Sequence, residues 1–158
     1  MIEEMAASVQ SHVFARELLA DGVAEGVVRC RRNGVLCQAR FDWINPVDGR
    51  GLVDLKTADS LDSFEWHIDA FKYTHQLAFY RSLFEHASGV VLPVHIIAVE
   101  KREPFRCGVW QISARCLDAA QAENVEAIAQ LIRCRETGQW PTGFESLRLF
   151  ARVPSPQS

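Results

Sequence analysis

An aspartate and a lysine one residue apart, Asp54-Leu55-Lys56, follow a second aspartate, Asp42, across a Pro-, Asp- and Gly-rich stretch at 46–51. On an extended strand, residues two apart share a face. Asp54 and Lys56 therefore project together, while Val53 and Leu55 face the other way. Taking charges out of water costs several kcal/mol unless they are paired or bound to metal. Two readings are open. The first is an ion pair on an edge strand, worth at most ~1 kcal/mol. The second is a site: two carboxylates and a lysine converging suit a hard divalent cation such as Mg²⁺, which takes oxygen ligands and keeps waters for a substrate phosphate. The apolar neighbours Leu52, Val53 and Leu55 mark a central strand, where unpaired charges need such a reason, and they favour the site.

The elements that must hold these residues read as α-β-β-β-α-β-β-α. Residues 2–20 carry Met5, Val9, Val13, Leu18 and Leu19 at near-helical spacing, closing at Asp21-Gly22. Residues 24–32 and 35–43 form a hairpin across Asn33-Gly34, the strongest short hairpin signal. After the turn at 46–51, a strand at 52–57 carries Asp54 and Lys56. Asp59, Ser60 or Asp62 then caps a helix running from about Ser63 to about His86, with Phe64, Ile68, Phe71 and Phe79 expected in its interface with the sheet. Residues 90–99 are β-branched and apolar, as a buried strand is, and 107–112 make its hairpin partner. A long helix occupies 114–136, and after Gly138 the tail, with Pro141, Pro154 and Pro156, reads as irregular. Gln76 and Tyr80, four apart, share a face of the middle helix, with Lys72 one turn earlier.

In this order the motifs resemble those of the PD-(D/E)XK nucleases. Cys37-Gln-Ala-Arg-Phe-Asp42-Trp is similar to a C-x-x-R-P-D-W segment of that superfamily, with Phe41 where proline is usual. Val53-Asp-Leu-Lys-Thr57 matches the D-x-K strand, and Gln76-Leu-Ala-Phe-Tyr80 the Q-x-x-x-Y helix of the RecB-like branch. The set most resembles the exonuclease VIII (RecE-type) phage recombination nucleases, over about residues 5–140. The resemblance implies an α/β fold, a three-layer α/β/α restriction-endonuclease-like core with a mixed central sheet. It also implies Mg²⁺, with Mn²⁺ as substitute, held by Asp42, Asp54 and the backbone carbonyl of Leu55, with Glu25 as a further acidic group approaching the metal. Lys56 would orient or deprotonate the attacking water, or stabilise developing charge if it stays protonated; the sequence leaves both roles open. Gln76 would position the nucleophile or the DNA backbone, and Tyr80 would contact DNA or support Gln76. Without the motifs before them, Tyr80 reads as a half-buried core residue and Gln76 as a solvated one.

RecB-like and RecE-like nucleases place a metal-binding histidine on a helix upstream of the strands. His12 lies in the helix just before the first strand, so either His12 substitutes or the site is one ligand short, and the second is favoured. His67, His75, His86 and His95 show no ligand spacing and read as structural or exposed. The expectation is a nuclease domain over 1–140 that begins late in the family's pattern, followed by an irregular tail over 141–158.

Composition bounds these expectations. The chain has 158 residues, 48% hydrophobic and 23% charged, ordinary for one soluble domain. No apolar run approaches the roughly 18 residues of a membrane span, and MIEEMAASVQ lacks the regions of a signal peptide, so an intracellular, cytoplasmic protein is expected. Cys30, Cys37, Cys107, Cys116 and Cys134 are too scattered for a disulfide framework or an iron–sulfur cluster. A net charge of −3 excludes a generally basic nucleic-acid binder. It does not exclude a nuclease, whose acidic ligands lower the count and whose substrate also meets bound cations. Arg29, Arg31, Arg32 and Arg40 form a local basic group beside the candidate site, or a solvated strand edge. The function expected is a divalent-metal-dependent DNA nuclease, a prophage-type recombination exonuclease on linear double-stranded DNA. Its alternatives are a catalytically impaired DNA-binding remnant and a repair endonuclease of the same fold. The resemblance further implies a single-strand annealing recombinase as partner and a homo-oligomer; no membrane is expected.

Overall fold

The computed structural model describes residues 1–47 and 49–150. After two short helices, α1 (Ile2–Ser11) and α2 (Val13–Leu18), come strands β1 (Val23–Arg32), β2 (Val35–Asn45) and β3 (Gly51–Ala58). A 3-10 turn at Leu61–Ser63 leads to α3 (Phe64–Ala70) and α4 (Tyr73–Ser88). The chain then forms β4 (Val94–Glu100), β5 (Cys107–Ile112) and α5 (Ala114–Thr137). The strands make one sheet in sequence order, antiparallel throughout except for the parallel pair β3–β4. A parallel pair needs a long crossover, which α3 and α4 supply. Val53 and Ile97 pack with Ala15 and Leu18 on the α1–α2 side. Leu52, Val94, Ile96 and Ala98 pack with Phe64, Ile68, Leu77, Leu83 and Leu117 on the other. The result is the mixed-sheet α/β/α sandwich that the sequence implied.

Local chemistry explains most boundaries. Asn33 and Gly34 both take positive φ (49° and 79°), as a two-residue hairpin loop requires. Every residue of β4 is buried, as expected for a strand paired on both edges and covered on both faces. It begins at Val94, four residues later than predicted, because Pro93 has no N–H to extend the ladder. The Pro93 carbonyl still accepts from Leu52 N at 2.9 Å. Val90 and Val91, assigned to this strand from sequence, are exposed.

Both expected long helices before β4 are broken. His12 leaves helical geometry (ψ 120°) and caps α2, its Nδ1 accepting from Ala15 N at 3.3 Å; a side-chain acceptor there satisfies an orphan N–H of the first turn. The second break falls at Phe71–Lys72, where Lys72 takes φ +56°. It turns Phe71 out to 60% exposure, so Phe71 does not fill the interface as predicted. Phe64 and Ile68 do fill it, and Phe79 is half-buried.

Polar clamps fasten the layers. Buried Asn45 donates to the Leu18 carbonyl at 2.8 Å and accepts from Val47 N at 3.0 Å, tying α2 to the end of β2. Between α4 and α5, Arg81 pairs with Asp118, His75 meets Glu123 at 2.9 Å, and Asn124 donates to the His75 carbonyl at 2.8 Å. The five cysteines are free thiols. Among the described residues no helix is long and apolar enough to cross a membrane. Pro154 and Pro156 of the expected tail lie outside the described residues.

Candidate active site

Strands β2 and β3 pair only at Trp43–Val53, Ile44–Leu52 and Asn45–Gly51. One step further the register brings Asp42 opposite Asp54, but the ladder stops there. Instead Leu55 N donates to Asp42 Oδ2 at 2.8 Å. A side-chain carboxylate has replaced the carbonyl that a continuing partner strand would offer, and the two strands splay. The distortion extends to β1, where Glu25 takes φ +56° and drops out of the pairing between Ala24–Trp43 and Gly26–Phe41. The alternation of β2 slips at the same place. Phe41 packs on the α4 side and Trp43 on the α2 side, although an unbroken strand would point both one way. Asp42 sits at that slip, beside a gap opened inside the sheet.

Asp54 lies on the other rim of the gap. It is buried on the α4 side with Lys56, whose Nζ stands 2.6 Å from Asp54 Oδ2 and 4.8 Å from the centroid of the Tyr73 ring. The ammonium approaches outside hydrogen-bond alignment, so Asp54 Oδ2 is a buried acceptor with no aligned donor. Burial pushes the Asp54 carboxyl above its ordinary range; Lys56 opposes that shift and the charge on Asp42 adds to it. Two mutually repelling carboxylates with one ammonium leave the cluster one positive charge short. In an extended residue the N–H and C=O point toward the same neighbouring strand. Because the Leu55 N–H reaches Asp42, its carbonyl faces the same gap. Two carboxylates and a carbonyl are the hard oxygen donors that a small divalent cation takes, with waters completing its shell.

The other sequence-derived residues fall at different distances from this centre. Tyr80 packs edge-on against Phe41 with ring centroids 5.5 Å apart, next to Asp42. Tyr73 lies under Lys56 two helical turns before Tyr80. Gln76 stands between those two tyrosines on the same stripe of α4 and is half-buried. Glu25 is turned to Arg40, 3.1 Å away and largely exposed, and would have to leave it to reach a cation. Among the described residues no three His, Cys, Asp or Glu side chains converge as a ready-made metal cage. His12 is occupied as the cap of α2. Tyr73 was missed from sequence, though its place three residues before Gln76, on the same helical face, is a signal that could have found it.

A family described as "PDDEXK-like domain of unknown function (DUF3799)" matches residues 1–151. The chain belongs to this PDDEXK-like family. The chain is similar in fold to the crystal structure of a "putative exonuclease" from Eubacterium rectale, at TM-score 0.75 and 16% identity over 97% of this chain. It spans 62% of that protein's length. A looser likeness, TM-score 0.42 and 14% identity over 80% of this chain and 58% of the other, is to the crystal structure of SSO0001. No curated protein matches the sequence. By its family and by the first of these likenesses the chain has the fold of the PD-(D/E)XK nuclease superfamily, and its D-x-K strand lies at the splayed edge just described.

Proposed function

We propose that this chain is a divalent-metal-dependent deoxyribonuclease that hydrolyses phosphodiester bonds of linear double-stranded DNA, as a recombination exonuclease of the phage type does. The observation that carries this reading is the break between β2 and β3, where Asp42 takes the Leu55 N–H, its charge acts on buried Asp54, and Asp54 Oδ2 lacks an aligned donor. Asp42, Asp54 and the Leu55 carbonyl would hold Mg²⁺, with Mn²⁺ as its substitute. When bound, such an ion lowers the pKa of a coordinated water and polarises the phosphate.

The chain's own residues set the rest. The Leu55 N–H fixes one oxygen of Asp42 and leaves the other for a ligand. Lys56, held between Asp54 and the Tyr73 face, places a positive charge where the phosphate must come, and there stabilises negative charge developing on it. Gln76, on the stripe between Tyr73 and Tyr80, would orient the attacking water or the DNA backbone. The similar structure from Eubacterium rectale is described as a "putative exonuclease", which supports the exonucleolytic part of the proposal.

The test is degradation of linear against covalently closed circular duplex by purified protein with Mg²⁺. Loss of linear DNA alone is the expected result. Cleavage of circles would make the chain an endonuclease. An inert wild type that binds DNA no differently from Lys56→Ala would make it a binding remnant, the reading that the capping role of His12 favours.

A further inference from the structure

The β1–β2 hairpin gathers positive charge that the rest of the chain does not cancel. Residues 26–41 hold four arginines and no aspartate or glutamate, in a chain whose net charge is −3. The register pairs Val27 with Arg40, Arg29 with Gln38 and Arg31 with Leu36. These six residues are exposed and, by strand alternation, share one face of the hairpin. The opposite face takes Cys37, Ala39 and Phe41 into the core with Leu83 of α4. Arg32 belongs to that side, where its Nη1 donates to the Ser82 carbonyl at 3.4 Å, with Glu85 one turn further along α4.

Two charges on the open face have no carboxylate partner. Arg29 donates through Nε to Gln38 Oε1 at 2.7 Å, and Arg31 through Nη1 to the Gly34 carbonyl at 3.0 Å. Both acceptors are neutral, so they brace the guanidiniums without cancelling them, and Arg29 keeps both terminal nitrogens for another partner. Arg40 is not counted, because Glu25 stands 3.1 Å from it. The other carboxylates on this side of the sheet are placed elsewhere. Asp42 takes the Leu55 N–H at 2.8 Å, Asp21 faces Arg50 at 3.8 Å, and Glu17 lines a recess with Arg50 and His95. Two braced forks, two residues apart on one strand, suit the oxygens of successive phosphates.

The face also has a direction. Leu36, Gln38 and Arg40 are alternate positions of β2, and the next is Asp42 at the candidate site. From Asp42 to the Arg31–Leu36 pair the strand rises about 20 Å, the length of about six base pairs of duplex.

We propose that the open face of the hairpin is a rail for the backbone of duplex DNA, with Arg29 and Arg31 holding phosphates of the flank that leads to Asp42. That the polyanion is DNA and reaches Asp42 rests on the nuclease reading; the uncancelled charge does not.

The experiment uses labelled duplexes of about 3, 6, 9 and 12 base pairs, lengths that bracket the rail, each closed at one end by a non-nucleotide linker. Binding is read by fluorescence anisotropy in EDTA at low salt. Wild-type affinity should rise steeply to about six base pairs and little beyond. Arg29→Gln combined with Arg31→Gln should weaken binding of the longer duplexes by about 100-fold and flatten the rise. Arg32→Gln, on the opposite face, should leave the profile unchanged. A wild type that does not bind, or binds all lengths alike, would overturn the proposal. So would a double variant that keeps the rise, or an Arg32→Gln variant that loses as much. A dimer that Leu36→Glu dissolves, with no dependence on duplex length, would assign the face to a second copy of the chain and also overturn it. Since no metal is present, a chain inert with Mg²⁺ that still shows the rise would end the nuclease reading and keep the rail. An active nuclease with a flat profile would do the reverse.

Discussion

Asp54 combines features that rarely persist in a fold without use: a buried carboxylate, a repelling neighbour in Asp42, and a lysine that meets it off axis. If Asp54 holds a cation, as proposed, the binding is measurable as stability. Mn²⁺ at about 100 times its Kd should stabilise the wild type by about 2.7 kcal/mol, read as a rise in the thermal midpoint. Asp54→Asn should remove that response, and an equal rise in the variant would show that the ion binds elsewhere. Lys56→Ala should lower turnover with Mg²⁺ by about 10² or more, the cost of a charge-stabilising or proton-transferring group. Gln76→Ala should slow cleavage while shifting the midpoint little, because Gln76 is half-buried and contributes no apolar packing.

At the scale of elements, the kink between α3 and α4 divides residues that sequence periodicity had grouped. Phe64 is 1% exposed and touches Tyr73 and Trp110, whereas Phe71 is 60% exposed. Chemical denaturation should give about 3–5 kcal/mol of destabilisation for Phe64→Ala and about 0.5 kcal/mol or less for Phe71→Ala; equal losses would mean that the two helices form one continuous rod. The end of β4 is fixed electrostatically. Buried Glu100 accepts from Arg106 at 2.6 and 2.8 Å and from Leu61 N at 2.9 Å. Arg106 foremost, then the Leu61 N–H, pull its carboxyl down from 4.5 to about 2. A depressed folded-state value means that the unfolded chain binds the proton first as pH falls. This contribution is therefore complete above about pH 4.5 and drains away toward pH 2. Arg106→Ala should lower stability at neutral pH and flatten the acid limb of the stability profile between those values; an unchanged limb would show that Glu100 is not its source.

For the molecule as a whole, a net charge of −3 means that any attraction to DNA must be local. Arg29, Arg31 and Arg40 are exposed on the β1–β2 hairpin. Arg29 is braced by Gln38 at 2.7 Å, Arg31 by the Gly34 carbonyl at 3.0 Å and Arg40 by Glu25 at 3.1 Å. If these side chains meet phosphates, replacing Arg29 and Arg31 with Gln should weaken duplex binding. It should also make the slope of log K against log salt shallower by about 0.9 for each phosphate left unneutralised. A parallel line at lower affinity would point to a conformational effect instead.

The local pattern of the chain was enough for the parts whose physics is local. Period-two alternation put Asp54 and Lys56 on one face, Asn33-Gly34 demanded a tight hairpin, and the apolar stretch before Glu100 could only be a buried strand. Folding had to decide whatever depends on partners far along the chain. The splay at Asp42 exists because a carboxylate thirteen residues away in sequence captures the Leu55 N–H, and no propensity encodes that choice. Lys72 turns left-handed with neither glycine nor proline to announce it. Glu25 meets Arg40, Tyr73 lies beneath Lys56, and Glu100 is claimed by Arg106 and Leu61. Each of these pairings was one of several that the chain's charges and rings permitted, and only the packed sheet, by bringing specific edges and faces together, selected among them.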